Sequence, residues 1–271
     1  MRPENLEKIV TRVRKNIIRM AFEAQSAHLG GALSCVELLV ALYFKIMKIN
    51  PKLPYWEDRD RLFFSKAHDA KALYAVLAER GYFKKKILSG YEKNGGKLPG
   101  HSTRNCVPGI EISAGSLGHG LPMAVGSAFV GKLDKKKYKV FVVISDGECD
   151  EGSTWEAILF AGHHKLSNLI VIVDYNKLQG FGYTKDVLDL EPFAAKWESF
   201  NWYAKSINGN SFPEIMEALK ITPFVKNKPS VIIANTIKGL GGVKTHVNKI
   251  SSQYKPPTYI EFKKLMEAMK E

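Results

Sequence analysis

Two near-continuous apolar runs, Tyr138–Ser145 (YKVFVVIS) and Leu169–Asp174 (LIVIVD), constrain this chain more than any other feature. A strand with one face in water alternates apolar and polar residues, whereas a run that is apolar throughout must be covered on both faces. Strands covered in that way belong to parallel sheets, whose crossover helices supply the cover. The stretch between the runs carries Ser153-x-x-Glu156, read as a capping box that opens a helix to about residue 165. The same alternation continues on either side. Strands are expected at 62–64, near 202–207 and at 231–234. Helices are expected at 68–80, at 119–133, from Ser211 to Leu219 (another Ser-x-x-Glu start) and after Thr258-Tyr-Ile-Glu261. The expected fold is α/β, an open, doubly wound, mostly parallel sheet with helices on both faces.

The first 60 or so residues read as helical. Residues 4–24 are amphipathic, and Ser34 with Glu37 reads as a capping box for a helix over 34–47. Apolar residues surround that second helix on all sides, so it should be deeply buried or shared with a partner chain. No repeat, low-complexity tract or linker divides the sequence, and 271 residues fit one domain, taken as 1–271. No apolar run reaches the roughly 18–20 residues of a membrane span, and the N-terminus lacks the apolar stretch of a secretory signal. A cytoplasmic location is expected. Cys35, Cys106 and Cys149 are far apart and odd in number, which argues against disulfides and zinc. The net charge of +13 arises from 40 Lys and Arg against 27 Asp and Glu, mostly as lysine in short runs such as 84–86 and 135–137. A solvated face accounts for such runs, no nucleic-acid module is present, and neither nucleic acid nor membrane is an expected partner.

The chemistry is expected where two consecutive strands end, in Ser145-Asp146-Gly147 and Asp174-Tyr175-Asn176. A right-handed crossover brings both ends to one edge of the sheet, where ligands of open α/β folds bind. Asp146 offers a carboxylate, Asn176 an amide oxygen and a residue just beyond, such as Leu178, a backbone carbonyl. Three oxygens of modest charge suit Mg²⁺ or Ca²⁺ and leave room for an anionic ligand such as a diphosphate. Gly147 permits close backbone approach. Asp-Gly alone would be an ordinary turn. The larger pattern, Asp-Gly, Glu151-Gly152, a helix, a buried strand and Asp-x-Asn-x-Leu, is far more specific.

The segment SDGECDEGSTWEAILFAGHHKLSNLIVIVDYNKLQ resembles the thiamine-diphosphate motif of transketolases, with Ser145 where that family opens on glycine. AHLGGALSCVELLVALYF is similar to the family's His-Pro-Gly segment, with Leu29 in place of proline. DRDRLFFSKAHDAKALYAVLAERGYF and EISAGSLGHGLPMAVGSA resemble its Ser-x-Gly-His-Ala and Thr-Gly-x-Leu-Gly-Gln-Gly segments, with His119 in place of a usual glutamine. The resemblance implies that Asp146, Asn176 and the Leu178 carbonyl hold Mg²⁺, for which Ca²⁺ or Mn²⁺ can substitute. It places His68, Gly115, Ser116, Leu117 and Gly147 about the thiamine diphosphate. Glu151 falls in a hydrogen-bonded network near the dimer interface, and His28 and His101 line the substrate channel as catalytic groups. Taken alone, each histidine would read as a loop or helix-start residue.

In that family a second, pyrimidine-binding domain completes the site. The sequence ends at Glu271 after one α/β unit, so the resemblance implies the N-terminal subunit of a split transketolase. Such a subunit would move a two-carbon ketol group between sugars or sugar phosphates. Its partner would be a separate C-terminal, pyrimidine-binding subunit, with self-association into a heterotetramer. Alternatives are half of another thiamine-diphosphate enzyme, either a specialised sugar-biosynthesis transketolase or a 2-oxo-acid decarboxylating component, and a non-catalytic homologue. One departure bears on substrate: Ser252-Gln253 stands where related split transketolases carry Trp-His, with His246 nearby.

Overall fold

A computed structural model describes residues 5–242, 244 and 246–269; the two ends of the expected domain, Val243 and Thr245 lie outside the described residues. Helix α1 (Leu6–Ala24) starts at Asn5, whose side chain accepts from Glu7 N at 2.9 Å, and ends where Gln25 turns left-handed at φ 49°. Its buried stripe of Val10, Val13, Ile17 and Ala21 keeps helical spacing. The helix expected over 34–47 is instead divided. It forms α2 (Leu29–Ser34), α3 (Val36–Ala41) and a π-helical turn, Leu42–Ile46. Ser34 and Glu37 form no capping box, because both side chains are committed to tertiary partners. Ser34 Oγ donates to Asp174 Oδ2 at 2.6 Å, and Glu37 pairs with Arg14 at 2.6 Å. Residues 36–43 are all buried, as their all-round apolarity requires.

The remaining elements follow in order: β1 (Arg61–Phe64), α4 (Ala70–Arg80), α5 (Gly120–Leu133), β2 (Val140–Ser145), α6 (Gly152–His163), β3 (Leu169–Tyr175), α7 (Thr184–Val187), α8 (Phe193–Ser199), β4 (Tyr203–Asn208), α9 (Phe212–Lys220), β5 (Ser230–Asn235), α10 (Ser251–Tyr254) and α11 (Tyr259–Ala268). Among the described residues the five strands are all parallel, in the order β1-β2-β3-β5-β4. The period of two along each strand sorts side chains between two cores. Phe141, Val143, Ile170, Ile172 and Ile232 pack with α1–α4 and α9. Val140, Val142, Ile144, Val171 and Val173 pack on the other face with α5, α6 and α8. Every residue of β2 and β3 is buried, which is why their sequence shows no alternation.

Three further Ser/Thr-x-x-Glu readings fare differently. Ser153 lies inside α6 and donates to Gly118 O at 2.9 Å; the box forms earlier, between Ser145 and Glu148 around the 3₁₀ turn Asp146–Asp150. Ser211 starts α9 without a side-chain cap, and Glu214 reaches back to Asn208 N at 2.8 Å. Thr258 and Glu261 do form the expected box. The chain leaves β1 towards α4 on one face and β2 towards α6 on the other. Diverging loops of this kind open a crevice at the carboxyl edge.

Candidate cofactor and substrate site

The register pairs Ser145 with Asp174, so the tips of β2 and β3 emerge side by side. A cavity of about 460 Å³ lies beyond them, lined among others by Asp146, Gly147, Glu151, Asn176, Leu178, His28, His68 and Leu117. Asp146 is 2% exposed and held in place by its neighbours. Its Oδ2 accepts from Lys177 N at 2.8 Å and Thr184 Oγ1 at 3.1 Å, and its Oδ1 from Gly147 N at 2.9 Å. Burial, then the neighbouring Asp174, pushes its pKa above the usual carboxylate range. A cation would relieve that cost. Asn176 Oδ1 accepts from Leu178 N at 3.1 Å, which orients the amide oxygen, and Lys238 Nζ donates to Leu178 O at 2.6 Å.

Sequence reasoning missed several charged groups that line this cavity. Lys66, Asp69 and Lys238 line the cavity together with His68. Lys66 lies two residues past the end of β1 and is 1% exposed, in an ion pair with Asp174, which also accepts from Ser34 and Thr236. Burial opposes the charge on Lys66, but Asp174, with Cys35 and Asp69, more than offsets it, and the ammonium titrates well above its ordinary range. Asp69 Oδ2 lies 3.2 Å from Lys66 Nζ and 3.3 Å from His68 Nε2, yet neither Asp69 oxygen accepts an aligned hydrogen bond. The available signal was Asp174 itself, a carboxylate in an otherwise apolar buried strand, which calls for a cationic partner.

The other expected site residues are distributed as follows. His28 sits left-handed (φ 61°) at the start of α2; its ring lies 5.2 Å from that of His68 and 6.5 Å from that of His101. His28 N donates to Gln253 O at 2.9 Å, so Gln253, which lines the same cavity, also braces the histidine. His101 lines an adjoining cavity that shares His28. Gly115 and Ser116 line neither cavity, although a Cβ at Gly115 would stand 3.7 Å from the His101 ring. His119 is exposed, its Nδ1 2.9 Å from Leu117 O. His246 is buried with Nδ1 3.9 Å from Glu261 and lines neither cavity, so it does not stand in for the histidine replaced at Gln253.

His28 is partly buried. Burial lowers its pKa from 6.5 to about 4; Asp69 opposes the shift, while His68, Lys71 and His101 reinforce it. The unfolded state therefore binds this proton first. The stability present above pH 6.5 is lost as pH falls from 6.5 towards 4. Urea unfolding at pH steps across that window should show a shallower dependence in His28→Gln; an identical profile would contradict the burial argument.

A diphosphate with a divalent ion fits this cavity. The oxygen donors Asp146, Asn176 and Leu178 stand on one side, and the cations Lys66 and Lys238 face the same space. Among the described residues no three His, Cys, Asp or Glu side chains group to hold a metal by themselves, so the remaining ligand oxygens would come from an anion and water.

Comparison with known proteins agrees with that fit. The family described as "Transketolase, thiamine diphosphate binding domain" matches residues 6–253, and the chain belongs to it. It is 43% identical over 229 residues to the 6-deoxy-6-sulfo-D-fructose transketolase subunit SqwG of Clostridium sp. (strain MSTE9), covering 84% of this chain and 83% of that one. It is 39% identical over 241 residues to an apulose-4-phosphate transketolase subunit of Phocaeicola vulgatus, covering 89% and 85%. The solved transketolase of Leishmania mexicana superposes with a TM-score of 0.91 at 26% identity, over 98% of this chain and 41% of that one. The chain thus spans about two fifths of the solved transketolase. No helix among the described residues is long and apolar enough to cross a membrane.

Proposed function

We propose that this chain is a single thiamine-diphosphate-binding domain and the N-terminal subunit of a split transketolase, transferring a two-carbon ketol group between sugars with an anionic terminus. The observation that carries the reading is the shared cavity, with oxygen donors at the tips of β2 and β3 facing Lys66, His68 and Lys238. Asp146, Asn176 and the Leu178 carbonyl would hold Mg²⁺. Lys66 and Lys238 would offset the charge of the diphosphate and His68 would donate a hydrogen bond to it, with Leu117, Gly147 and Glu151 beside it and Gly115 and Ser116 at its outer side. Thiamine diphosphate, when bound, supplies the electron sink for carbon–carbon bond cleavage and formation. His28, neutral at pH 7, presents an imidazole that both donates and accepts, suited to orienting a sugar hydroxyl and moving its proton. Burial lowers the pKa of His101 as well, and it would act on the same chain of hydroxyls.

The named activities of the two relatives, on a sulfonated sugar and a sugar phosphate, support a specialised anionic substrate. Their designation as subunits supports a separate pyrimidine-domain partner. Exposed Met123, Val130 and Leu133 on α5, with Leu159 and Phe160 on α6, support burial against other chains in a heterotetramer. Three free cysteines are in keeping with a cytoplasmic enzyme. Ketol transfer should be absent from the chain alone and appear when a pyrimidine-domain partner is co-purified with it, assayed over a panel of sugar phosphates, sulfonated sugars and free ketoses. Full transfer by the chain alone would remove the partner requirement. No transfer by the assembled pair would remove the transketolase reading.

A further inference from the structure

Beside the first cavity lies a second, of about 660 Å³, with His28 in the wall common to both. Its interior holds an unusual group. Lys71, on the first turn of α4, is 1% exposed, although lysine is almost never fully buried unless paired. Its ammonium carries three donors, of which one is used, on Ala27 O at 2.7 Å. The Tyr91 ring lies 5.5 Å away, and among the described residues no carboxylate comes within 4 Å. Glu92 lines the same cavity but is exposed, as is Lys93 beside it, so water screens both while the buried ammonium keeps its field. Two N–H donors therefore have no hydrogen-bond partner among the described residues, in a buried side chain that lines a cavity sharing His28 with the proposed reaction site.

We propose that Lys71 is a specificity residue that binds a tetrahedral oxyanion, the phosphate or sulfonate terminus of a sugar whose reacting end occupies the first cavity. The inference rests on the ketol-transfer reading and extends it. The two cavities meet at His28, whose ring stands 6.5 Å from that of His101. A sugar leaving the first cavity past His28 reaches the second, where its carbon chain ends and its charge requires a counter-ion. The buried ammonium supplies that charge with no carboxylate within ion-pair distance, the buried Asp69 and then Glu92 acting on it from farther off. An uncharged terminus gains no such partner, so the residue separates charged from neutral sugars.

The test compares fructose, fructose 6-phosphate and 6-deoxy-6-sulfo-fructose on the assembled, cofactor-loaded enzyme, in wild type, Lys71→Met and Lys71→Arg. Methionine keeps much of the buried stem and removes the charge, and thermal melting confirms the fold. In Lys71→Met, KM should rise about 10- to 100-fold for the charged sugars, with kcat nearly unchanged and fructose unaffected. Lys71→Arg should retain much of the discrimination. The arm that responds, phosphate or sulfonate, identifies the oxyanion. Equal effects on charged and neutral sugars, or undiminished discrimination in Lys71→Met, would overturn the proposal. Calorimetric binding of the same three sugars needs no turnover. If wild type transfers nothing, the ketol-transfer reading falls, yet weakening by Lys71→Met confined to the charged sugars still supports the oxyanion site. Binding that does not distinguish charged from neutral sugars overturns it.

Discussion

Asp146→Ala should weaken magnesium-dependent binding of thiamine diphosphate by about 100-fold or more, a loss larger than the 10–100-fold typical when only an outer partner of a metal ligand is removed. Asp146 is the sole carboxylate among the three oxygen donors at the strand tips, and Asn176 and Leu178 contribute only dipoles. Its removal would leave the proposed ion with only the dipoles of Asn176 and Leu178 at the strand tips. Lys177 N, Gly147 N and Thr184 Oγ1 lose an acceptor at the same time, so Asp146→Asn, which keeps an oxygen for them, serves as the folding control. Calorimetric titration with thiamine diphosphate, with and without Mg²⁺, reads the effect. Unchanged affinity would end the metal role of Asp146.

Asp174→Ala should cost about 3–5 kcal/mol of folding stability, the range for stranding one partner of a buried ion pair. Lys66 would keep the Asp69 carboxylate, 3.2 Å away, and Gly31 O, while Thr236 Oγ1 would lose its carboxylate acceptor and Ser34 Oγ would be left with Gly31 O alone. Replacing both partners, as in Lys66→Met with Asp174→Leu, should recover a large part of the loss, because two apolar side chains demand no compensation. Urea unfolding of the two variants tests both statements. A small loss in the single variant would mean that the pair does not support the fold.

The sheet is legible in the sequence because strands covered on both faces cannot alternate. Tyr138–Ser145 and Leu169–Asp174 are therefore assigned with their crossover before any tertiary information. The strand tips follow from the same topology, which is why Asp146 and Asn176 stand out. Caps are harder. Ser-x-x-Glu at 34, 153 and 211 has the same local pattern as the boxes formed at 145 and 258, but the backbone at Ser34 and Ser153 is helical and Glu37 is drawn to Arg14. Tertiary demands override local ones. The cationic wall stays hidden for a related reason: a lysine defaults to the surface, and only packing reveals that Lys66, Lys71 and Lys238 point inward.

The backbone tie between His28 and Gln253 joins opposite ends of the described chain across the cavity mouth. A nascent polypeptide that has not yet released residue 253 from the ribosome lacks one wall of the cofactor pocket, however well its sheet has formed. Closure of the pocket therefore waits on the segment that carries Gln253, and a product truncated before that residue lacks this wall.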